Sequence, residues 1–325
     1  MATSHKHKRI AILAGGDVAE RPISLLSAQT VATHLDPARY ESRIIDLRAG
    51  TFYDQQTGQR LDKNDFSLAI DGAPYTFDLV FPMLHGHPAE DGAIHGYFEL
   101  VGLPVTGCNH LCSALTFNKQ ACKAFLQPLG VPMAQGILLR TPHAVPVDKC
   151  LALGLPLFVK PNKNGSSFGV TKVTQAEQIT SAIELAFRYD DEVLVESYVP
   201  GTEYSCGVLR CGSEIIALPI TEIRPHTEFF DYQAKYERKS DEITPAPLPE
   251  TLTQRCQALS RQCYEALGCR GIVRFDFILS GQDFYFLEVN TIPGMSPQSI
   301  VPQQARAYGW TLGQLFETVI EEALQ

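Results

Sequence analysis

Short apolar runs separated by polar turns open the chain. Arg9-Ile10-Ala11-Ile12-Leu13-Ala14 has the continuous apolar character of a buried strand, Gly15-Gly16-Asp17 forms a turn, and Ile23 to Leu35 has helical spacing. Further strands are expected over Ser42 to Leu47 and Phe77 to Leu84, and a helix over Ala93 to Val101. Strands alternating with helices predict a parallel sheet covered on both faces. Ligands of such sheets bind at the carboxyl ends of the strands. Gly15, Gly16, Glu20 and His85 are therefore expected along one edge.

The pattern changes after about residue 106. Leu111 to Leu129 reads as one helix carrying Lys119. Leu157 to Lys160 and Val193 to Glu196 read as strands on either side of a helix over Ala176 to Phe187. Glu203 to Arg210 and Glu214 to Ile220 look antiparallel. A helix over Thr251 to Leu267, strands over Ile272 to Leu279 and Phe284 to Val289, and a helix over Thr311 to Ala323 complete the chain. Segregated helices and mostly antiparallel strands predict an α+β organisation for this half.

The last two strands carry the strongest chemical signal. Period-two alternation places Arg274 and Asp276 on one face, opposite Val273, Phe275 and Phe277. Glu288 and Asn290 also share a face, and Ser280-Gly281-Gln282-Asp283 joins the strands as a hairpin. Asp276, Glu288 and Asn290 are hard oxygen ligands suited to Mg²⁺ held jointly with nucleotide phosphates. An ion pair of Arg274 with these acids on a solvated face is the simpler alternative. In Lys160-Pro161-…-Gly165-Ser166-Ser167-Phe168-Gly169, a strand delivers a lysine to a glycine- and serine-rich turn. Such a turn can present N–H groups and hydroxyls to phosphate oxygens, or serve as a plain surface loop. It is not a P-loop, and Gly15-Gly16 is not a dinucleotide fingerprint. From Val195 to Glu203 an extended segment can offer backbone groups to an adenine edge and an acid to ribose hydroxyls.

Composition narrows the field. The chain has 325 residues, 45% hydrophobic and 19% charged, which suits a soluble globular protein of two or three domains. Its 36 acids outnumber 27 lysines and arginines, for a net charge of -9, which argues against general nucleic-acid binding. No apolar run approaches the roughly 18 residues needed to span a bilayer. The basic head MATSHKHKR is followed only by IAIL, unlike a signal peptide, so a cytoplasmic protein is expected. Nine cysteines without a CxxC pair suggest reduced thiols, and neither a disulfide framework nor a zinc site is expected.

The segments HGHPAEDGAIHGYFELVGLPVTG, FVKPNKNGSSFGVTKV, FFDYQAKY, ITPAP and RFDFIL…FLEVNTIPGMSPQS, in this order, resemble the D-alanine–D-alanine ligase family of ATP-grasp carboxylate–amine ligases. The resemblance covers nearly the whole chain. It implies an ATP-grasp fold of mixed α/β and α+β class: an N-terminal parallel α/β domain (1–105), then central (106–195) and C-terminal (196–325) α+β domains that sandwich the nucleotide. The activity implied is ATP-dependent joining of two D-alanines for peptidoglycan precursors, with D-lactate or D-serine as alternative second substrates, in a homodimer. Lys119, Lys160, Ser166 and Ser167 are implied to bind ATP phosphates, Glu196 and Val199 the adenine, and Glu203 the ribose. Asp276, Glu288 and Asn290 are implied to hold two Mg²⁺ or Mn²⁺ ions. Glu20 and His85 would contact the first D-alanine, and Ser299 and Ile300 the second. Arg274 and the Gly294 N–H would face the tetrahedral intermediate. Tyr236, on a loop with Lys235, would close over the site toward Ser166 and Glu20. Asn164, Ile300, Ala89 and Pro22 depart from the common family pattern.

Overall fold

The computed structural model describes residues 7–16, 19–142, 145–165, 167–225 and 240–325. Ser166, Lys235 and Tyr236, and most of the expected covering loop, lie outside the described residues.

The N-terminal region contains β1 (Lys8–Gly15), α1 (Arg21–His34), β2 (Tyr40–Arg48), β3 (Thr51–Asp54), β4 (Leu68–Ile70), β5 (Ala73–Tyr75), β6 (Leu79–Pro82) and α2 (Ala93–Leu100). Its main sheet has the order β3-β2-β1-β6. β1 runs parallel to both β2 and β6, as the strand–helix alternation predicts. The sheet is not wholly parallel, because β3 folds back antiparallel on β2. Ala49 and Gly50 between them both have positive φ (43° and 67°), the backbone a tight hairpin needs.

Next come α3 (His110–Phe117) and α4 (Lys119–Leu126) where one helix was expected. Asn118 breaks it: its backbone is extended, and its side chain accepts from the Ala121 N–H at 2.9 Å, capping α4. The break makes Lys119 the first residue of α4. The central sheet has the order β7-β10-β8-β9, all antiparallel, from β7 (Gly136–Leu139), β8 (Leu157–Pro161), β9 (Thr171–Val173) and β10 (Val193–Ser197). Helices α5 (Val147–Leu151) and α6 (Ile179–Ala186) accompany it.

The largest sheet has the order β14-β13-β11-β15-β16, with β12 pairing to β11. It uses β11 (Thr202–Cys211), β12 (Glu214–Ala217), β13 (Thr221–Pro225), β14 (Ser240–Ile243), β15 (Ile272–Ser280) and β16 (Asp283–Asn290). Helices α7 (Glu250–Ala266), α8 (Ile300–Tyr308) and α9 (Leu312–Ala323) complete the described residues.

Apolar burial falls into three clusters. One joins the N-terminal sheet to Leu209 of β11 and to Ile292, Met295, Val301, Leu315 and Phe316 from the far end of the chain. Phe81 and Phe316 meet edge to face there, with ring centroids 6.0 Å apart. A second lies between the largest sheet and α3, α4 and α7, around Cys112, Leu126, Tyr264, Phe275 and Phe277. A third fills the central unit around Val159, Ile183 and Val195.

Candidate active site

The hairpin of β15 and β16 aims the expected acids. Asp276 pairs with Glu288 and Arg274 with Asn290 across the strands. Strict alternation along β16 would place Phe284, Phe286, Glu288 and Asn290 on one face. Phe284 and Phe286 are instead buried with Phe275 and Phe277 in the second core. A register shift resolves the conflict: Phe277 pairs with Phe286, so Leu287 is an extra residue between Phe286 and Glu288. This bulge reverses the parity of β16 and turns Glu288 and Asn290 toward Asp276.

Asp276 is buried and fully partnered. Arg274 donates to it through Nε (2.9 Å) and Nη2 (2.8 Å), and Ser205 Oγ donates at 2.5 Å. The ion pair weighed as the simpler alternative therefore exists, in a buried setting. Burial disfavours the Arg274 cation, but Asp276, Glu288 and Glu203 outweigh it and keep the guanidinium protonated. Gln304, wholly buried on α8, donates to Ser205 O (2.9 Å) and Thr221 Oγ1 (3.0 Å) and accepts from the Gly207 N–H (2.9 Å). It ties α8, with Ser299 at its cap and Ile300 at its start, to the strand beside Asp276.

A cavity of about 500 Å³ lies between the central and largest sheets, lined by Lys119, Lys160, Ser167, Glu196, Val199, Glu203 and Glu288 among others. Lys119 Nζ donates to Asn164 O at 2.7 Å and lies 3.4 Å from Glu288 Oε2. Asn162 holds α4 in place: its carbonyl accepts from the Lys119 N–H (3.1 Å) and its amide donates to Asn118 Oδ1 (2.9 Å). Lys160 Nζ sits 2.6 Å from Glu196 Oε2. Lys123, one turn after Lys119, contacts the other oxygen of Glu196 and also lines the cavity. Burial pushes Glu196 up, but Lys123 and Lys160 outweigh it and hold the carboxyl at about 2. Ser167 has φ 58°, the left-handed conformation that lets successive N–H groups converge on an anion.

The remaining expected residues gather beyond Glu288. His85 is buried, and burial, with Arg274 adding to it, keeps the imidazole neutral against the pull of Glu20. Its Nε2 has no hydrogen-bond partner among the described residues. Glu90 accepts from the Gly86 N–H at 2.7 Å. Burial, Glu20 and Glu288 together raise Glu90 to about 7, against the opposing effects of Gly86 and Lys119. Glu20 approaches the glycine-serine loop, since a Cβ built on Gly165 would lie 4.0 Å from its Oε2. Gly294 adjoins Ser299, whose Oγ would lie 3.0 Å from such a Cβ. Ser299 Oγ also meets Ser296 Oγ at 2.7 Å.

Sequence reasoning missed Lys123, Glu90, Ser205 and Gln304. Lys123 had a usable signal, its i,i+4 spacing from Lys119 on the helical face that buries Cys122 and Leu126. Ser205 and Gln304 had none, because their partners are 71 and 99 residues away.

Known proteins identify the family. The family profile for the D-ala D-ala ligase N-terminus matches residues 9–108, and that for the D-ala D-ala ligase C-terminus matches residues 125–321. A D-alanine–D-alanine ligase of Flavobacterium johnsoniae is 43% identical over 98% of this chain and 99% of its own. That of Phocaeicola vulgatus is 41% identical over 97% and 98%. Among solved structures, D-alanyl-alanine synthetase A from Vibrio cholerae superposes with a TM-score of 0.88 at 30% identity, covering 98% of both chains. The VanG D-Ala:D-Ser ligase from Enterococcus faecalis gives 0.87 at 31%, over 98% of this chain and all of its own. The Bacillus anthracis D-alanine–D-alanine ligase complexed with ATP gives 0.79 at 30%, over 98% and 97%. Two profiles that together span most of the chain, and relatives above 40% identity end to end, make this protein a member of the D-alanine–D-alanine ligase family, with its ATP-grasp fold.

Proposed function

We propose that the protein joins two molecules of D-alanine to D-alanyl-D-alanine, using ATP, as a step toward peptidoglycan. The observation that carries this is the single cavity into which Lys119, Lys160, Glu196, Glu203 and Glu288 all face, beside the Arg274–Asp276 pair. A carboxylate is a poor electrophile. Transfer of the γ-phosphate to the first D-alanine makes an acyl phosphate and releases ADP. The amine of the second D-alanine attacks the acyl carbon, and phosphate leaves as the new C–N bond is completed.

Phosphoryl transfer needs positioning and charge neutralisation more than covalent help. Lys119 and Lys160 take the phosphates, with Ser167 and Ser166 above them. Glu196 and Val199 meet the adenine, and Glu203 takes the ribose hydroxyls. Asp276, Glu288 and Asn290 form a hard oxygen set on one face of the hairpin, which fits two Mg²⁺ (or Mn²⁺) ions. When bound, such ions neutralise charge on the transferring phosphoryl group. Arg274, always protonated, faces the oxyanion together with the Gly294 N–H. Glu20 and His85 hold the first D-alanine, while Ser299 and Ile300 hold the second. Tyr236 and Lys235 belong to the covering segment, which keeps water from the acyl phosphate. A division at 105/106 and 195/196, a homodimer and a cytoplasmic setting accompany this reading. In the described residues no helix is long and apolar enough to cross a membrane.

The test is phosphate release with each D-amino acid singly and in pairs, with the product identified by mass. Turnover and dipeptide formation with D-alanine are expected. ATP hydrolysis without a dipeptide, or a preference for D-lactate or D-serine as acceptor, would overturn the assignment.

A further inference from the structure

The cysteines are not scattered as their spacing suggests. None of the nine forms a disulfide, and eight are buried. Five of these, Cys122, Cys150, Cys206, Cys256 and Cys263, fill core positions as small hydrophobes. The other three converge. The sulfurs of Cys108, Cys112 and Cys269 all lie within 4.8 Å of one another, the one such group of potential metal ligands among the described residues.

Geometry and surroundings both suit a soft cation. Zn–S bonds of about 2.3 Å in a tetrahedron separate two sulfurs by about 3.8 Å. Cys112 Sγ and Cys269 Sγ are 3.8 Å apart. Cys108 Sγ is turned to Arg270 O at 3.6 Å, on the segment that carries Cys269. His95 on α2, which is not one of the converging groups, is buried nearby, and Cys108, Cys269 and His95 line one cleft of about 680 Å³. Arg210 and Arg270 line it as well as Glu99, Glu265 and Glu322, so its edge carries charges of both signs.

The backbone is shaped to hold the two sulfur-bearing segments together. A Cβ built on Gly271 would lie 2.7 Å from Gly107 Cα, so side chains are excluded where the strands of chain cross. Asn109 caps α3 by accepting from the Cys112 N–H at 2.9 Å, which fixes Cys108 and Cys112 on either side of the cap.

We propose that Cys108, Cys112 and Cys269 supply three thiolate ligands of a structural site for a soft divalent cation of the zinc class. The site lies apart from the oxygen ligands of the hairpin and takes no part in the ligation chemistry. It clips the start of α3 to the segment before β15, and so couples the helix pair that carries Lys119 to the strand that carries Asp276. This inference stands on the thiols alone and does not depend on which substrates the enzyme joins.

Cobalt substitution tests it in the full-length protein. Reduced, chelator-treated protein is titrated with Co²⁺ and then Zn²⁺ in the presence of excess Mg²⁺. The expected result is one Co²⁺ per chain, with the near-ultraviolet sulfur-to-cobalt charge-transfer band of a thiolate site, displaced by Zn²⁺. Zn²⁺ binding should also raise the thermal midpoint by several degrees. Cys112→Ser should lose most of the band, and Cys211→Ser at an exposed position should keep it. Should Cys112→Ser fail to fold, the wild-type spectrum still decides. Cobalt taken up without a thiolate band overturns the proposal. So does a thiol titration of air-purified, unfolded protein that finds two fewer than nine thiols, since Cys112 and Cys269 would then be a disulfide.

Discussion

Two regions of the site are built with opposite charge. In one, Lys123 and Lys160 both pair with a single buried carboxylate, Glu196. In the other, Asp276 pairs with a buried guanidinium, Arg274, on which Glu288 and Glu203 also act, and Glu90 is influenced by Glu20 and Glu288. The first region is settled within the protein, and its carboxylate is held down at about 2. In the second, burial first and then the charges of Glu20 and Glu288 raise Glu90 to about 7. A triphosphate complements the lysines, and divalent cations complement the acids. On the proposed function, one metal-bound triphosphate would meet both regions.

The largest effect should come from the acidic region. Glu288→Gln removes a charge from the oxygen set and is expected to lower ATP turnover by about a thousandfold or more, measured as phosphate release at saturating Mg²⁺. Ordinary turnover in that variant would mean the acids do not serve as ligands. A smaller effect is expected at the lysine region. Lys123→Met leaves Glu196 with Lys160 alone and should cost about 2–3 kcal/mol in urea unfolding at neutral pH. Adding Glu196→Gln should recover part of that loss, because the uncompensated carboxylate is gone. Strictly additive losses would show that the pair is not coupled.

Acid titration separates the two regions further. The folded value of Glu196, about 2, lies below its ordinary 4.5. Its contribution is therefore complete above about 4.5 and is lost as pH falls toward 2. Glu196→Gln should flatten the acid side of the stability profile. Glu90 has the opposite sign, with a folded value of about 7 above the same 4.5. Its favourable state is complete below 4.5 and is lost as pH rises through 7. Glu90→Gln is thus expected to stabilise the metal-free protein by about 1–2 kcal/mol near pH 8 and hardly at all near pH 4. Equal gains at both pH values would remove the charge argument for this region.

What the chain revealed in advance depended on how local the determinant was. The first strand, its following helix and the closing helix follow from runs and periods inside ten or fifteen residues. Asp276 and Glu288 were found by alternation, yet alternation alone would have sent Phe284 and Phe286 to the wrong face. The bulge at Leu287 leaves no mark in the apolar pattern. The split at Asn118 was legible only as a capping residue inside an otherwise helical run. The cysteine trio was invisible for a different reason. Two members sit four residues apart, but Cys269 follows 157 residues after Cys112, so only tertiary packing brings them together.

The first apolar cluster has a consequence for how the protein is made. Its N-terminal sheet is roofed by α9, and Arg39 reaches Glu317 and Glu321 at 2.9 and 2.7 Å. A chain emerging from the ribosome cannot complete that nucleus when its opening strands appear. The β1–β6 layer must wait, with Ile12 and Phe81 uncovered, until Phe316 has been synthesised. Loss of the last dozen residues should therefore unfold the beginning of the molecule before its middle.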